Sequence, residues 1–91
     1  MKTVYTKKEL AKAIKSGEKH ILCKGSVAET LWSIINAKEK LTSTGIAITI
    51  TITLAELALL LGFAIVLYAI YKNRKVKIQG NKDGSVVVDM E

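Results

Sequence analysis

The residue with the clearest chemical potential is Glu56, because it is the one charged side chain in the apolar stretch 45–71. A carboxyl group in hydrocarbon is costly and normally faces protein or water, so it marks a candidate functional position. If this stretch is one α-helix, Thr49, Thr53 and Glu56 lie within about an 80° arc of its surface. The same stripe continues into apolar residues. The predicted pore-lining or helix-interface residues are therefore Gly45, Thr49, Thr53, Glu56, Leu60, Phe63 and Leu67.

Three interpretations of this stripe remain open. Several such helices around an axis would form a pore with a ring of carboxylates, which selects cations, followed by an apolar constriction. Alternatively, the small and hydroxyl side chains let helices pack closely, with a protonated Glu56 hydrogen-bonded across the interface. In the third, Glu56 pairs with a cationic side chain of a different membrane protein.

The other reactive residue types are isolated. One Cys and one His are too few for a disulfide framework or a structural zinc site. Cys23 lies in an apolar pattern typical of a small buried side chain, and we expect His20 to be a solvated strand residue. The sequence has no paired carboxylates, no Ser–His–Asp set and no phosphate-binding glycine loop. We therefore expect a protein that is not an enzyme, with no catalytic residue, no cofactor and no metal.

Residues 1–25 predict a short β-α-β element. Thr6 and Glu9 have the spacing of a capping box, in which each side chain bonds a free backbone N–H of the first helical turn. Gly17 suits the left-handed position that ends such a helix. Two short apolar runs, before and after the helix, predict strands.

Residues 26–43 predict an amphipathic connecting helix. It would begin with a second capping box, Ser26 to Glu29, and its apolar positions recur at helical spacing. Trp32 lies near the apolar stripe, and tryptophan is favoured at membrane interfaces because its ring is apolar while its N–H remains hydrated.

Residues 44–71 predict one transmembrane helix. A helix of this length spans roughly 40 Å, more than the roughly 30 Å hydrocarbon core of a bilayer. Two tyrosines and a cationic cluster follow, as expected for an aromatic belt and a polar anchor. The predicted membrane-interface anchors are Trp32, Tyr68, Tyr71, Lys72, Arg74 and Lys75. The excess of positive charge after this stretch favours a cytoplasmic C terminus.

Residues 72–91 predict a basic flank followed by a β-hairpin. Two β-branched runs are separated by a polar segment that ends in Asp83 and Gly84, a strong turn signal. A β-α-β element and a hairpin are each marginal alone, so a spanning helix would require them to pair with copies of themselves or to pack on lipid. If both lie on one side instead, they can merge into a four-stranded sheet, and the spanning interpretation fails.

A further observation also argues against the membrane interpretation. Residues 46–53 partly alternate between β-branched apolar and polar types, which in water indicates a strand. A helix buried in a soluble bundle is a further alternative, because periodicity alone does not separate it from a membrane span, but the length and the flanks of the stretch favour the membrane.

The fold class favoured by the sequence is a mainly α membrane protein with a β-α-β element, an amphipathic helix running into one transmembrane helix, and a terminal hairpin. The corresponding function is a small single-pass protein that homo-oligomerises and forms a pore for ions or small solutes, a layout that also suits a membrane-permeabilising effector. One alternative is a non-enzymatic, membrane-anchored adaptor or binding module; another is a soluble structural assembly with buried apolar helices. The expected partners are the lipid bilayer of a bacterial-type inner membrane or its equivalent, copies of the chain and a protein bound by the terminal β elements. We expect no nucleic acid, because no aromatic residues are interleaved with the basic ones.

Overall fold

The computed structural model of the chain describes residues 1–38, 48–61 and 74–90. These residues form a mixed sheet with helices between its strands. The elements in chain order are β1 (Lys2–Val4), α1 (Lys7–Lys15), β2 (His20–Cys23), α2 (Gly25–Lys38), β3 (Ile48–Thr53), α3 (Leu54–Leu61), β4 (Lys75–Gly80) and β5 (Val86–Met90).

The N-terminal β-α-β element is present as the sequence predicts. The Glu9 amide donates to the Thr6 hydroxyl over 3.1 Å, and the Thr6 amide donates to the Glu9 carboxylate over 3.1 Å. This capping box satisfies N–H groups that have no partner within the helix. Gly17, at φ 86°, follows the C-terminal end of α1 in the left-handed conformation. Strands β1 and β2 then pair in parallel, with α1 as the crossover.

The two ends of the chain meet in one sheet of strand order β1-β2-β5-β4-β3. The hairpin predicted in the C-terminal tail is confirmed, because β4 and β5 pair antiparallel around a turn that contains Gly84 at φ 94°. Strand β5 also pairs antiparallel with β2, which joins the N-terminal element to the hairpin. Strand β3 pairs antiparallel with β4 and extends the sheet to five strands.

The core lies between the helices and one face of this sheet. Helix α1 contacts β1 and β2, and α2 contacts β3, β4 and β5. Every second strand residue faces these helices, as the period of two requires. The largest fully buried side chains are Leu10, Ile14, Ile21, Leu31, Ile35, Leu54, Leu57, Ile78, Val4, Val27 and Val76.

The predicted transmembrane helix over 44–71 is wrong. Its described part is a strand, Ile48–Thr53, followed directly by a helix of eight residues, Leu54–Leu61. Strand β3 forms because its period-two apolar residues match those of β4, with Ile50 opposite Ile78 and Ile52 opposite Val76. The strand gives way to α3 at Thr53, whose hydroxyl accepts a hydrogen bond from the Glu56 amide over 3.1 Å.

The predicted membrane location is wrong for the same reason as the predicted transmembrane helix. No helix among the described residues combines the length and the apolar composition needed to cross a bilayer. The mainly α membrane fold, the pore, the membrane localisation and the cytoplasmic orientation of the C terminus all assumed such a helix, so these predictions are wrong. The described architecture is a small α/β domain built on a five-stranded mixed sheet.

Helix α2 also differs from its predicted form at its N-terminal end. It begins at Gly25, which has a φ of 65°, and Ser26 already lies in its first turn. The Ser26 hydroxyl donates to the Tyr5 carbonyl over 3.1 Å, so this serine ties α2 to the end of β1. The second predicted capping box is therefore absent from this end of the helix. Residues 39–43 of the predicted connecting helix lie outside the described residues.

Candidate interaction surface on the sheet

Strand β3 forms one edge of the sheet. Among the described residues it pairs with β4 on one side and has no strand on the other. The backbone N–H and C=O groups of every second β3 residue therefore point away from β4, where a further strand would bond them. Ile50 and Ile52 are buried on the helix-covered side, while Thr49 and Thr51 are exposed on the opposite side.

This edge lacks the features that usually protect an edge strand. Charged residues, proline, bulges or a very short length normally prevent further strand pairing. The six residues of β3 alternate isoleucine and threonine, with no charge and no proline. They pair with β4 in continuous register over their whole length, so no bulge interrupts the strand. Uncharged, β-branched edges without such protection pair readily with another strand.

The opposite edge of the same sheet is protected. Strand β1 has three residues, one of which is Lys2, and within the described ranges it pairs only with β2. Its short length and its cationic side chain are two of the devices that discourage strand addition. The two edges therefore differ in chemistry, which makes β3 the candidate docking edge.

Helix α3 adds apolar surface next to this edge. It follows β3 without a loop and contacts it. Leu54 and Leu57 are buried, whereas Leu59 is 78% exposed. A single exposed leucine is common on protein surfaces. Leu59, however, lies on the helix that directly follows the unprotected strand.

The open face of the sheet, on the side away from the helices, carries a polar row across four strands. The strand registers place His20 opposite Asp89, Asp89 opposite Lys77, and Lys77 opposite Thr51. A second row on this face runs through Thr3, Leu22, Val87, Gln79 and Thr49. The first row thus leads from β2, next to the β1 edge, across the sheet to the β3 edge.

His20 is the solvated strand residue that the sequence predicts, and it is also paired with Asp89, which the sequence does not predict. Its Nδ1 atom lies 2.5 Å from an Asp89 carboxylate oxygen, and its side chain is 68% exposed. A carboxylate that holds one imidazole nitrogen fixes the ring orientation, as in catalytic and metal-binding histidines. Thr51, the hydroxyl at the far end of the row, lies three strand spacings from His20, roughly 14 Å away. This distance is too great for His20 to activate that hydroxyl as a nucleophile.

Cys23 lies on the opposite, helix-covered side of the sheet. It is completely buried, and this burial raises the pKa of its thiol to about 12. Near neutral pH the group is therefore a protonated thiol without the thiolate needed for nucleophilic attack. The interpretation of Cys23 as a buried apolar side chain is confirmed.

The described part of the chain brings together no group of three histidine, cysteine, aspartate or glutamate side chains suited to a metal ion. The absence of a metal, a cofactor and enzyme activity stays a prediction from the sequence.

Trp32 fixes α2 to the hairpin and has a structural role that its assignment as a membrane-interface anchor missed. Its ring packs against Gly80, and its indole N–H donates to the Gly84 carbonyl over 3.0 Å. Glycine is required at position 80 because an added Cβ atom would lie 2.7 Å from two ring carbons. This contact holds the turn between β4 and β5 against the helix.

The hairpin turn itself is ordered by a local hydrogen-bond network. The Ser85 amide and hydroxyl both donate to the Asp83 carboxylate, over 3.0 Å and 2.6 Å. These bonds, the hydroxyl bond first, lower the pKa of Asp83 because they stabilise its ionised form. The turn keeps β4 and β5, and through them β3, in a fixed register.

The residues predicted to line a pore are divided between two elements. Thr49 and Thr53 belong to β3, whereas Glu56 lies in the first turn of α3, so they share no helical stripe. Arg74 precedes β4, and Lys75 is exposed at its start, opposite Thr53. The side chain of Leu60 lies outside the described residues, as do Gly45, Phe63, Leu67, Tyr68, Tyr71 and Lys72.

Two features of this surface were not identified from the sequence. The alternation of apolar and polar residues over 46–53 indicated the β3 strand, but the length of the apolar stretch favoured a transmembrane helix. The spacing of Thr53 and Glu56 is also typical of a helix N-cap, and in the structure it marks the point where β3 ends and α3 begins. The pairing of His20 with Asp89 had no local signal, because 69 positions separate the two residues.

Comparison of the chain with protein families, with characterised proteins and with solved structures gave no match.

Proposed function

We propose that this protein is a non-enzymatic binding module that takes an extended segment of another polypeptide onto the β3 edge as an added strand. The observation that carries the proposal is the unprotected edge: six uncharged, β-branched residues with no second neighbouring strand in the described part of the chain. Strand addition of this kind derives its affinity from main-chain hydrogen bonds and its specificity from alternate side chains.

The surroundings of β3 support this role. The strand is held in place by a full-length pairing with β4, and β4 is fixed in turn by β5 and by the Trp32 contact with the hairpin. A pre-ordered edge reduces the entropy that strand addition costs. The exposed threonines offer hydroxyl groups to a partner on the open face, and Leu59 offers exposed apolar area on the helix that follows the strand.

The reactive side chains of the described residues give less support to an enzymatic role. Cys23 is buried and protonated, and the His20–Asp89 pair has no hydroxyl or thiol within reach on its row. Binding requires none of these groups, because it uses the backbone of β3.

Peptide selection followed by amide exchange tests the proposal. The immobilised full chain is screened with a displayed library of random peptides, and the affinities of synthetic versions of the selected peptides are measured in solution. In dilute solution, we expect a bound peptide to slow hydrogen exchange at alternate amides of β3 and to leave the amides of β1 unchanged. Protection that falls on another element, or the failure of the monomeric chain to select any peptide, would contradict the proposal.

A matched pair of variants separates the two edges. Thr49→Lys places a cation on the β3 edge opposite the neutral Gln79, while Thr3→Lys places the same charge on the open face of β1. We expect Thr49→Lys to weaken peptide binding about tenfold, because the peptide strand would desolvate the charge. Thr3→Lys is expected to leave the affinity unchanged, and equal effects of the two variants would refute the assignment to β3.

A further inference from the structure

We propose that the partner strand at this edge is β3 of a second copy of the chain, so that two molecules form one continuous ten-stranded sheet around a two-fold axis. This inference rests on the proposed binding role of the β3 edge and names its occupant.

The absence of charge on β3 favours a second copy as its partner. The chain carries a formal net charge of +6, so two copies repel each other over most of their surfaces. The six residues of β3 are uncharged, and the nearest cations on the open face, Lys75 and Lys77, lie one strand back on β4. An acidic partner segment would find no complementary charge on β3 itself. An identical neutral strand needs none.

The alternation of β3 also allows it to pair with a second copy of itself. A two-fold axis perpendicular to the sheet keeps the helices of both copies on the same side, so isoleucine must face isoleucine and threonine must face threonine. An antiparallel pair centred on Thr51 satisfies this condition over residues 49–53. Thr51 then lies opposite Thr51 of the second copy, Ile50 opposite Ile52, and Thr49 opposite Thr53. Cross-strand pairs of β-branched residues are favourable in sheets.

The faces of the two sheets also match in this arrangement. Ile50 and Ile52 lie on the helix-covered side, so the isoleucine pairs continue the apolar layer from one copy to the other. On the open side, the row of His20, Asp89, Lys77 and Thr51 meets the same row of the second copy at its threonine end. Two Thr51 residues therefore separate the two Lys77 side chains, and no like charges are directly opposed.

A charge-swap experiment at Thr51 tests the inference. Glu and Lys are introduced separately as Thr51→Glu and Thr51→Lys, and the oligomeric state of the full chain is measured by sedimentation velocity over a wide concentration range. The wild type is expected to be dimeric. Each variant alone is expected to dimerise about tenfold more weakly, because two like charges become directly opposed at the axis. An equimolar mixture of the two variants is expected to recover dimerisation, because opposite charges then meet.

The matched controls are Thr3→Glu and Thr3→Lys on the β1 edge, which are expected to leave dimerisation unchanged. Far-ultraviolet circular dichroism establishes that every variant is folded; Thr51→Glu lies opposite Lys77, which favours its native pairing. A monomeric wild type, a mixture that stays monomeric, or an equal loss in the Thr3 variants would overturn the inference.

The outcomes for the two proposals are distinguishable. If the wild type is monomeric but selected peptides still protect the β3 amides, the binding edge stands and the second copy is not its occupant. If the wild type is monomeric and no peptide protects β3, both proposals fail. Recovery of the dimer in the mixed variants supports both.

Discussion

The contact between α2 and the β4–β5 hairpin is tested most directly by replacing Gly80 with alanine. The added methyl group would lie 2.7 Å from Cζ2 and Cη2 of Trp32 and 3.0 Å from Cδ1 of Ile35. The indole ring cannot withdraw without lengthening its 3.0 Å hydrogen bond to the Gly84 carbonyl. Overpacking of this kind costs about 1–3 kcal/mol and loss of the hydrogen bond about 1 kcal/mol.

Part of this cost is offset. Alanine is about 0.5–1 kcal/mol more favourable than glycine within a strand, because it loses less backbone entropy on folding. We therefore expect Gly80→Ala to lower the free energy of unfolding by about 2 kcal/mol, equivalent to a decrease of about 10 °C in Tm for a domain of this size. Urea unfolding followed by far-ultraviolet circular dichroism measures the change without relying on the fluorescence of Trp32.

A double-mutant cycle identifies the cause. Trp32→Phe removes the two ring carbons that the new methyl group meets, so Gly80→Ala is expected to cost about 1 kcal/mol less in that background. Gly17→Ala serves as the control: its Cβ would meet nothing within 4 Å, and its cost comes from a φ of 86°. It should add to Trp32→Phe without coupling. A Gly80→Ala protein within about 0.5 kcal/mol of wild type, or strict additivity with Trp32→Phe, would refute the packing argument.

Three further predictions follow from the caps and the titratable groups. Thr6→Ala removes the acceptor for the Glu9 amide and is expected to cost about 1 kcal/mol, measured by urea unfolding. The Cys23 thiol has a pKa near 12 in the fold against an ordinary 9.0, so it contributes stability below pH 9 that is lost as the pH rises, by up to about 1.4 kcal/mol per pH unit. Thermal unfolding of Cys23→Ala should lack this alkaline decrease; an unchanged profile would contradict it. The pKa of Asp83 is lowered in the fold, so its contribution is present above its ordinary value of 3.8 and is lost on acidification. The difference in Tm between wild type and Asp83→Asn is therefore expected to shrink as the pH falls below 3.8. A constant difference would show that the hydrogen bonds from Ser85 do not stabilise the ionised form of Asp83 in the fold.

Local features of the fold were predictable from the sequence because their determinants lie within a few residues. The capping box of α1 depends on Thr6 and Glu9, and the left-handed positions at Gly17 and Gly84 depend on the absence of a side chain. The β-α-β element, the hairpin and the burial of Cys23 followed from the same short-range patterns.

The candidate docking edge was predictable only in part. The alternation of isoleucine and threonine indicated a strand, but no local pattern shows whether a strand lies at the centre or the edge of a sheet. That position depends on the pairing of β3 with β4 and on the absence of a second neighbour among the described residues. The polar row on the open face likewise depends on three registers between strands distant in the chain.

The sequence by itself determined the capping box of α1, the two glycine turns and the alternation of the hairpin strands, because each is fixed by contacts between near neighbours. It did not determine the environment of the apolar stretch, since hydrocarbon and a protein core satisfy the same hydropathy. Only the tertiary structure decided between them: the isoleucines of β3 match the apolar face of β4, and Thr53 caps the short helix that follows. The same long-range pairing carried Thr49 and Thr51 to an open sheet edge and brought His20 to Asp89, contacts that no window of the sequence contains.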